Sequence, residues 1–151
     1  MTLALETIGL NKRFGGVVAT SAVSLQIERG ARRALIGPNG AGKTTLINLL
    51  TGVLTPSEGR VLLEGREVTA LAPHARVRLG MARTFQINQL FADFTPLETL
   101  ALAISERIGA GADWWRAPNK ELIADESAEL MTRFHLDDVF DVRAGTLAYG
   151  K

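Results

Sequence analysis

The chain has 151 residues, 46% of them hydrophobic, and a formal net charge of +1 from 17 basic and 16 acidic side chains. This is the length of one domain and the composition of a globular chain rather than a disordered one, and the balanced charge supplies no overall field to attract nucleic acid. A chain without cysteine has neither a disulfide framework nor a thiolate metal site, and its longest apolar stretch, 46–54, is interrupted by Asn48, Thr51 and Gly52, well short of the ~18 residues that a membrane span requires.

The opening MTLALETIGL lacks a basic region followed by a long apolar run, so it does not read as a secretory signal. Residues 3–10 and 17–27 carry alternating apolar and β-branched side chains around the turn signal Phe14-Gly15-Gly16, which predicts two antiparallel strands. The apolar run 31–36 predicts a short buried strand. It leads into GPNGAGKTT, residues 37–45, a stretch whose glycines resist helix by about 1 kcal/mol each relative to alanine.

That stretch fits G-x-x-x-x-G-K-[ST], with Gly37, Gly42, Lys43 and Thr44 at the fixed positions. Glycine leaves backbone N–H groups free to curl around an anion. The helix predicted over 44–50 points its N-terminal dipole at the same anion. Lys43 is placed to meet β- and γ-phosphates and the Thr44 hydroxyl to take a position on Mg²⁺. Pro38, Asn39, Gly40, Ala41 and Thr45 complete the loop. Strand, loop and helix in this order give the motif the context it needs.

Gly52 and Pro56 are the expected stop to that helix. A strand and turn over 59–65, a short helix over 73–79 and a strand over 81–85 follow. The arginines at 32, 33, 76 and 78 read as solvated surface. Beyond Gln86 helical spacing takes over, at 96–108 and 120–134, with a Gly/Pro loop at 109–119 between them. Trp114 and Trp115 in that loop suit either a cap on the helical core or a partner contact. His74 and His135 have no acidic or metal-binding surroundings. The run Leu122-Ile123-Ala124-Asp125-Glu126 imitates a strand ending in a metal-binding and a catalytic carboxylate, but Glu121 breaks the run and the helical spacing continues to Phe134. A helix is predicted instead.

Taken in order, Phe14, the phosphate loop, Gln86 at the end of ARTFQ, the helical segment and the closing Leu147-Ala148-Tyr149-Gly150-Lys151 resemble the ATP-binding subunit of an ABC transporter. Within that family, LTGVLTPSEGRVLLEGREVTALAPH, GMARTFQINQLF and LAYG look most like importers of branched-chain amino acids, with urea and amide importers as near relatives. The resemblance implies an α/β P-loop NTPase fold of the ABC ATPase type, with an antiparallel β subdomain and a helical subdomain. Residues 1–86 would form the nucleotide-binding part and 87–151 the helical subdomain, ending in a partial signature loop.

The resemblance also implies roles. Phe14 stacks on adenine, Gln86 positions Mg²⁺ or the attacking water, and Ala148, Tyr149 and Gly150 meet the ATP of a second, head-to-tail subunit. Ala148 brings no hydroxyl to the γ-phosphate, leaving that contact to backbone N–H groups. Two membrane permease subunits and, indirectly, an extracytoplasmic substrate-binding protein are the implied partners, at the cytoplasmic face of the membrane; nucleic acid is not. Walker B, its catalytic glutamate, the D-loop and the switch histidine do not follow, so the chain is expected to be the first part of a subunit, C-terminally truncated. Strands of a parallel core sheet would then be missing, leaving apolar surface exposed and the chain poorly soluble. Rival readings are a soluble ABC-type ATPase unconnected with transport, a truncated non-hydrolysing nucleotide-binding module, and a small GTPase. The last needs N-K-x-D, and Asn119-Lys120-Glu121-Leu122 lacks the aspartate.

Overall fold

A computed structural model of the chain describes residues 2–84, 91–109 and 120–147. The chain forms two compact units, Met1–Thr84 and Phe85–Lys151.

In the first unit, Leu3–Phe14 (β1) and Val17–Glu28 (β2) pair as an antiparallel hairpin, with Phe14 opposite Val17 across the Gly15-Gly16 turn. β1 runs past the predicted end at Leu10 because a register shift there is stitched by one side chain. Asn11 Oδ1 accepts from the Ala22 amide at 2.8 Å while its Nδ2 donates to Gly9 O at 2.9 Å. Such shifts sharpen twist and re-aim the strand. On the other edge of β1 lies Glu58–Leu63 (β3), which turns through Glu64-Gly65 into Arg66–Glu67 (β4). The sheet order is β2-β1-β3-β4, and every pairing is antiparallel.

Helix α1, Lys43–Leu50, lays Leu46, Leu49 and Leu50 against a cluster with Leu10, Val61 and Val68. Four of these six are fully buried. Burying a leucine or valine side chain contributes roughly 1.5–3 kcal/mol, so this face, rather than the propensity of an eight-residue helix, holds α1 in place. The helix stops at Gly52, whose left-handed φ of 81° lets its amide return to Leu49 O. A second, short helix, Pro73–Arg78 (α2), starts on its proline and closes this unit's secondary structure.

Three expectations fail in this unit. Residues 31–36 form no strand, and Leu35 and Ile36 are exposed, Ile36 by 88%. Residues 81–84 form none either, and Phe85 lies outside the described residues. Both runs have the apolar content of buried parallel strands, but a strand exists only through a partner, and the described residues offer these two none. The third is Arg76, expected at the surface and found only 1% exposed. It stands three residues before Leu79, which packs on the apolar cluster. That spacing puts both on one helix face.

In the second unit, Pro96–Arg107 (α3) and Lys120–Arg133 (α4) meet through Ile104 and Ile123, with Ala101, Ile108 and Leu130 around them. α3 begins on a capping box: the Thr95 hydroxyl accepts from the Glu98 amide at 3.1 Å and Glu98 accepts from the Thr95 amide at 2.8 Å. Asp125 and Glu126 lie within α4, as the helical spacing predicts, and Arg107 donates to Glu126 across the pair. Short 3-10 turns follow at Asp137–Val139 and Ala144–Thr146. No helix among the described residues is long and apolar enough to cross a membrane.

Candidate nucleotide-binding site

The loop 37–42 rises from the exposed run and enters α1 through Gly42, the helix N-cap, at φ 80°. A β-carbon at Gly42 would stand 2.4 Å from the carbonyl oxygen of Ala19 on β2. Two independent constraints therefore select glycine: the left-handed backbone and the approach of a neighbouring strand. No side chain caps the first turn of α1, so its leading amides are left to other acceptors. Gly42→Ala is expected to lower the melting temperature and abolish binding together, since the left-handed backbone alone costs roughly 1–2 kcal/mol and the Ala19 backbone has no flexible end to yield. A thermal melt and a MgATP titration on the same sample check this.

Lys43 opens α1. Its Nζ donates to two carbonyls of its own loop, Gly37 O and Pro38 O, both at 2.7 Å. The ammonium is thus held at the loop on neutral carbonyls, and a phosphate, with a full opposite charge, attracts it more strongly than a carbonyl dipole does. Thr44 is exposed at the first turn, and Thr45 is half-buried beside it. The donor set is one ammonium, two hydroxyls and uncapped helix amides. It suits a polyphosphate, with the Thr44 oxygen free for a hard cation.

Phe14 sits at the end of β1 with 48% of its surface exposed, so it is no core aromatic. Lys12 Nζ lies 5.2 Å from its ring centroid and donates to Thr55 O at 2.7 Å, a cation over the ring. β2 leads from the Phe14 hairpin at Val17 to Ala19, the residue against Gly42; two residues of strand span roughly 7 Å. Phe14, paired with Val17 across the hairpin, and Gly42, against Ala19, are thereby set two residues of β2 apart.

Gln86 and the signature residues Ala148, Tyr149 and Gly150 lie outside the described residues, as do Trp114 and Trp115. The segment leading to Gln86 is tied to α1, however: Arg83 Nη1 donates to Asn48 Oδ1 at 2.6 Å. Sequence reasoning assigned no role to Asn48, Arg83 or Lys12, and it placed Arg76 at the solvated surface. For Lys12 the available signal was its position two residues before Phe14, on the same strand face.

Comparison with known proteins fits this geometry. Residues 20–151 match the family described as ABC transporter. The branched-chain amino acid transport ATP-binding protein BraF of Pseudomonas aeruginosa is 37% identical over 97% of this chain and 60% of its own length. The corresponding LivG proteins of Archaeoglobus fulgidus and Escherichia coli are 37% and 36% identical, over 58% and 60% of their lengths. The chain thus spans about 60% of the curated relatives it matches. Among solved structures, a nucleotide-free ATP-binding cassette from an ABC transporter superposes with a TM-score of 0.72 at 32% identity, over 98% of this chain and 60% of that one. CbiO1 from Clostridium perfringens, at 23% identity and a TM-score of 0.74 over 99% of this chain and 57% of its own, shares the fold. With its phosphate loop opening α1, its antiparallel sheet and its helical unit, the chain belongs to the ABC transporter family, with the P-loop fold of an ABC ATPase.

Proposed function

We propose that this chain is the N-terminal part of the ATP-binding subunit of an importer for branched-chain amino acids. The observation that carries the reading is the cradle itself: a Gly42 that admits no side chain, an uncapped helix N-terminus, and Lys43 held over the loop on carbonyls it can exchange. The names of the relatives at 36–37% identity support the substrate. Residues 1–86 act as the nucleotide-binding part and 87–151 as the helical subdomain.

In this reading Gly37, Pro38, Asn39, Gly40, Ala41 and Gly42 wrap the phosphates with backbone amides, Lys43 neutralises the β/γ charge, and Thr44 and Thr45 close the loop. Thr44 would hold Mg²⁺, and Gln86 would hold either that ion or the attacking water; the ion would supply charge neutralisation at the phosphates. Phe14 stacks on adenine with one side of its ring braced by Lys12. Ala148, Tyr149 and Gly150 reach the nucleotide of a second, head-to-tail subunit. The helical unit faces the two permease subunits; its apolar groove of about 440 Å³, lined by Leu97, Ala101, Ile123 and Ala124, supports contact with another protein at the cytoplasmic face of the membrane. A substrate-binding protein outside the membrane is reached only through the permeases.

Phe14 gives the sharpest test of base recognition. Phe14→Ala is expected to weaken MgATP binding roughly tenfold, the upper part of the 1–3 kcal/mol range for base stacking being excluded by the ring's half-exposed position, while Phe14→Tyr binds as the parent does. Melting curves with and without MgATP separate this from folding: equal loss of stability in both conditions would make Phe14 a structural residue and remove it from the site.

A further inference from the structure

Arg76 is the largest fully buried side chain among the described residues, and the reading above gives it nothing to do. Its guanidinium donates to four backbone carbonyls: Nη1 to Leu49 O at 2.9 Å and Leu50 O at 2.6 Å, Nε to Leu71 O at 3.0 Å, and Nη2 to Thr69 O at 2.9 Å. Leu49 and Leu50 are the last two residues of α1, where carbonyls run out of donors within the helix; Leu49 O also accepts from the Gly52 amide at 3.3 Å. Gly52 makes room for the clamp, since a β-carbon there would stand 2.7 Å from Arg76 Nε and 2.9 Å from Leu71 O. Burial lowers the Arg76 pKa from its ordinary value, but an arginine keeps its proton in a protein. A cation is therefore held in the interior on carbonyl dipoles, at the negative end of a helix.

The apolar face of α1 holds the helix onto the sheet but not at one point along its axis, because apolar contact is non-directional. Hydrogen bonds are directional. The fork at Leu49 and Leu50 sets how far α1 is drawn toward 69–76, and α1 spans only about 12 Å, so a shift at its C-terminus arrives undiminished at Gly42 and Lys43. We propose that Arg76 is a positioning residue for phosphate binding: it fixes the axial position of α1 from the end opposite the phosphate loop. The proposal rests on the phosphate-loop reading given above.

The test uses Arg76→Met and Arg76→Lys in the full chain, titrated calorimetrically with MgATP and with inorganic pyrophosphate plus Mg²⁺, well below each variant's melting temperature. Arg76→Met, which keeps bulk but no donors, is expected to bind both ligands roughly tenfold more weakly; Arg76→Lys, with the charge but not the fork, should fall between it and the parent. Phe14→Ala serves as the contrast, losing MgATP affinity while retaining that for pyrophosphate. A folded Arg76→Met that binds pyrophosphate as the parent does overturns the proposal. So does an unfolded Arg76→Met beside an Arg76→Lys variant with parental pyrophosphate affinity, since the clamp would then serve stability alone. A parent chain that binds neither ligand overturns the phosphate-loop reading itself, and the clamp with it.

Discussion

Replacing Lys43 by alanine is expected to weaken MgATP binding by about 1.5–3 kcal/mol, the range for hydrogen bonds to a charged group, or roughly ten- to a hundredfold. Folding should be almost unaffected. The ammonium's partners, Gly37 O and Pro38 O, lie in a loop that is exposed apart from its half-buried ends at Gly37 and Gly42, where water replaces a lost donor at little cost. The loss should also be specific to phosphate: adenosine, which has none, should bind the variant and the parent alike. A titration of both proteins with MgATP, ADP and adenosine checks the pattern. Parental affinity for MgATP in a folded Lys43→Ala chain would remove the cradle from the site and leave the sequence motif without a function in this protein.

The parts of this molecule that were readable from its sequence are those whose causes are local. Phe14-Gly15-Gly16 between two alternating apolar runs predicts a hairpin, and β1 and β2 form one. The helix predicted from residue 96 by its apolar spacing likewise begins at Pro96. What stayed hidden depends on distant partners. The runs 31–36 and 81–85 have the composition of buried strands, yet composition names no pairing partner, and unpaired backbone defines no strand. Arg76 was hidden for the opposite reason. An arginine predicts solvent unless something pairs with it, and its partners are the carbonyls of Leu49, Leu50, Thr69 and Leu71, groups that every sequence carries and none advertises. The same contrast holds within the site: Gly42 and Lys43 were legible as a pattern, whereas the Ala19 carbonyl that makes glycine obligatory at 42 comes from a strand more than twenty residues upstream.

The second large effect concerns turnover. The 151-residue chain is expected to bind MgATP and release no phosphate beyond a Lys43→Ala control. Hydrolysis needs a group that takes a proton from water or positions it, together with a firmly held cation. The described residues with the sequence pattern closest to such a carboxylate pair, Asp125 and Glu126, lie inside α4 rather than at the end of a strand. Asp125 is exposed on that helix, and Glu126 already accepts from Arg107 of α3. Its oxygen is thus already taken up by a guanidinium rather than aimed at a water. Phosphate release can be followed in the purified chain, its Lys43→Ala form and a Glu126→Gln form. All three are expected to coincide at background. Turnover in the parent that vanishes in both variants would place Glu126 at the reacting phosphate and make α4 a catalytic helix. Turnover lost only with Lys43 would instead assign the base to another carboxylate of this chain.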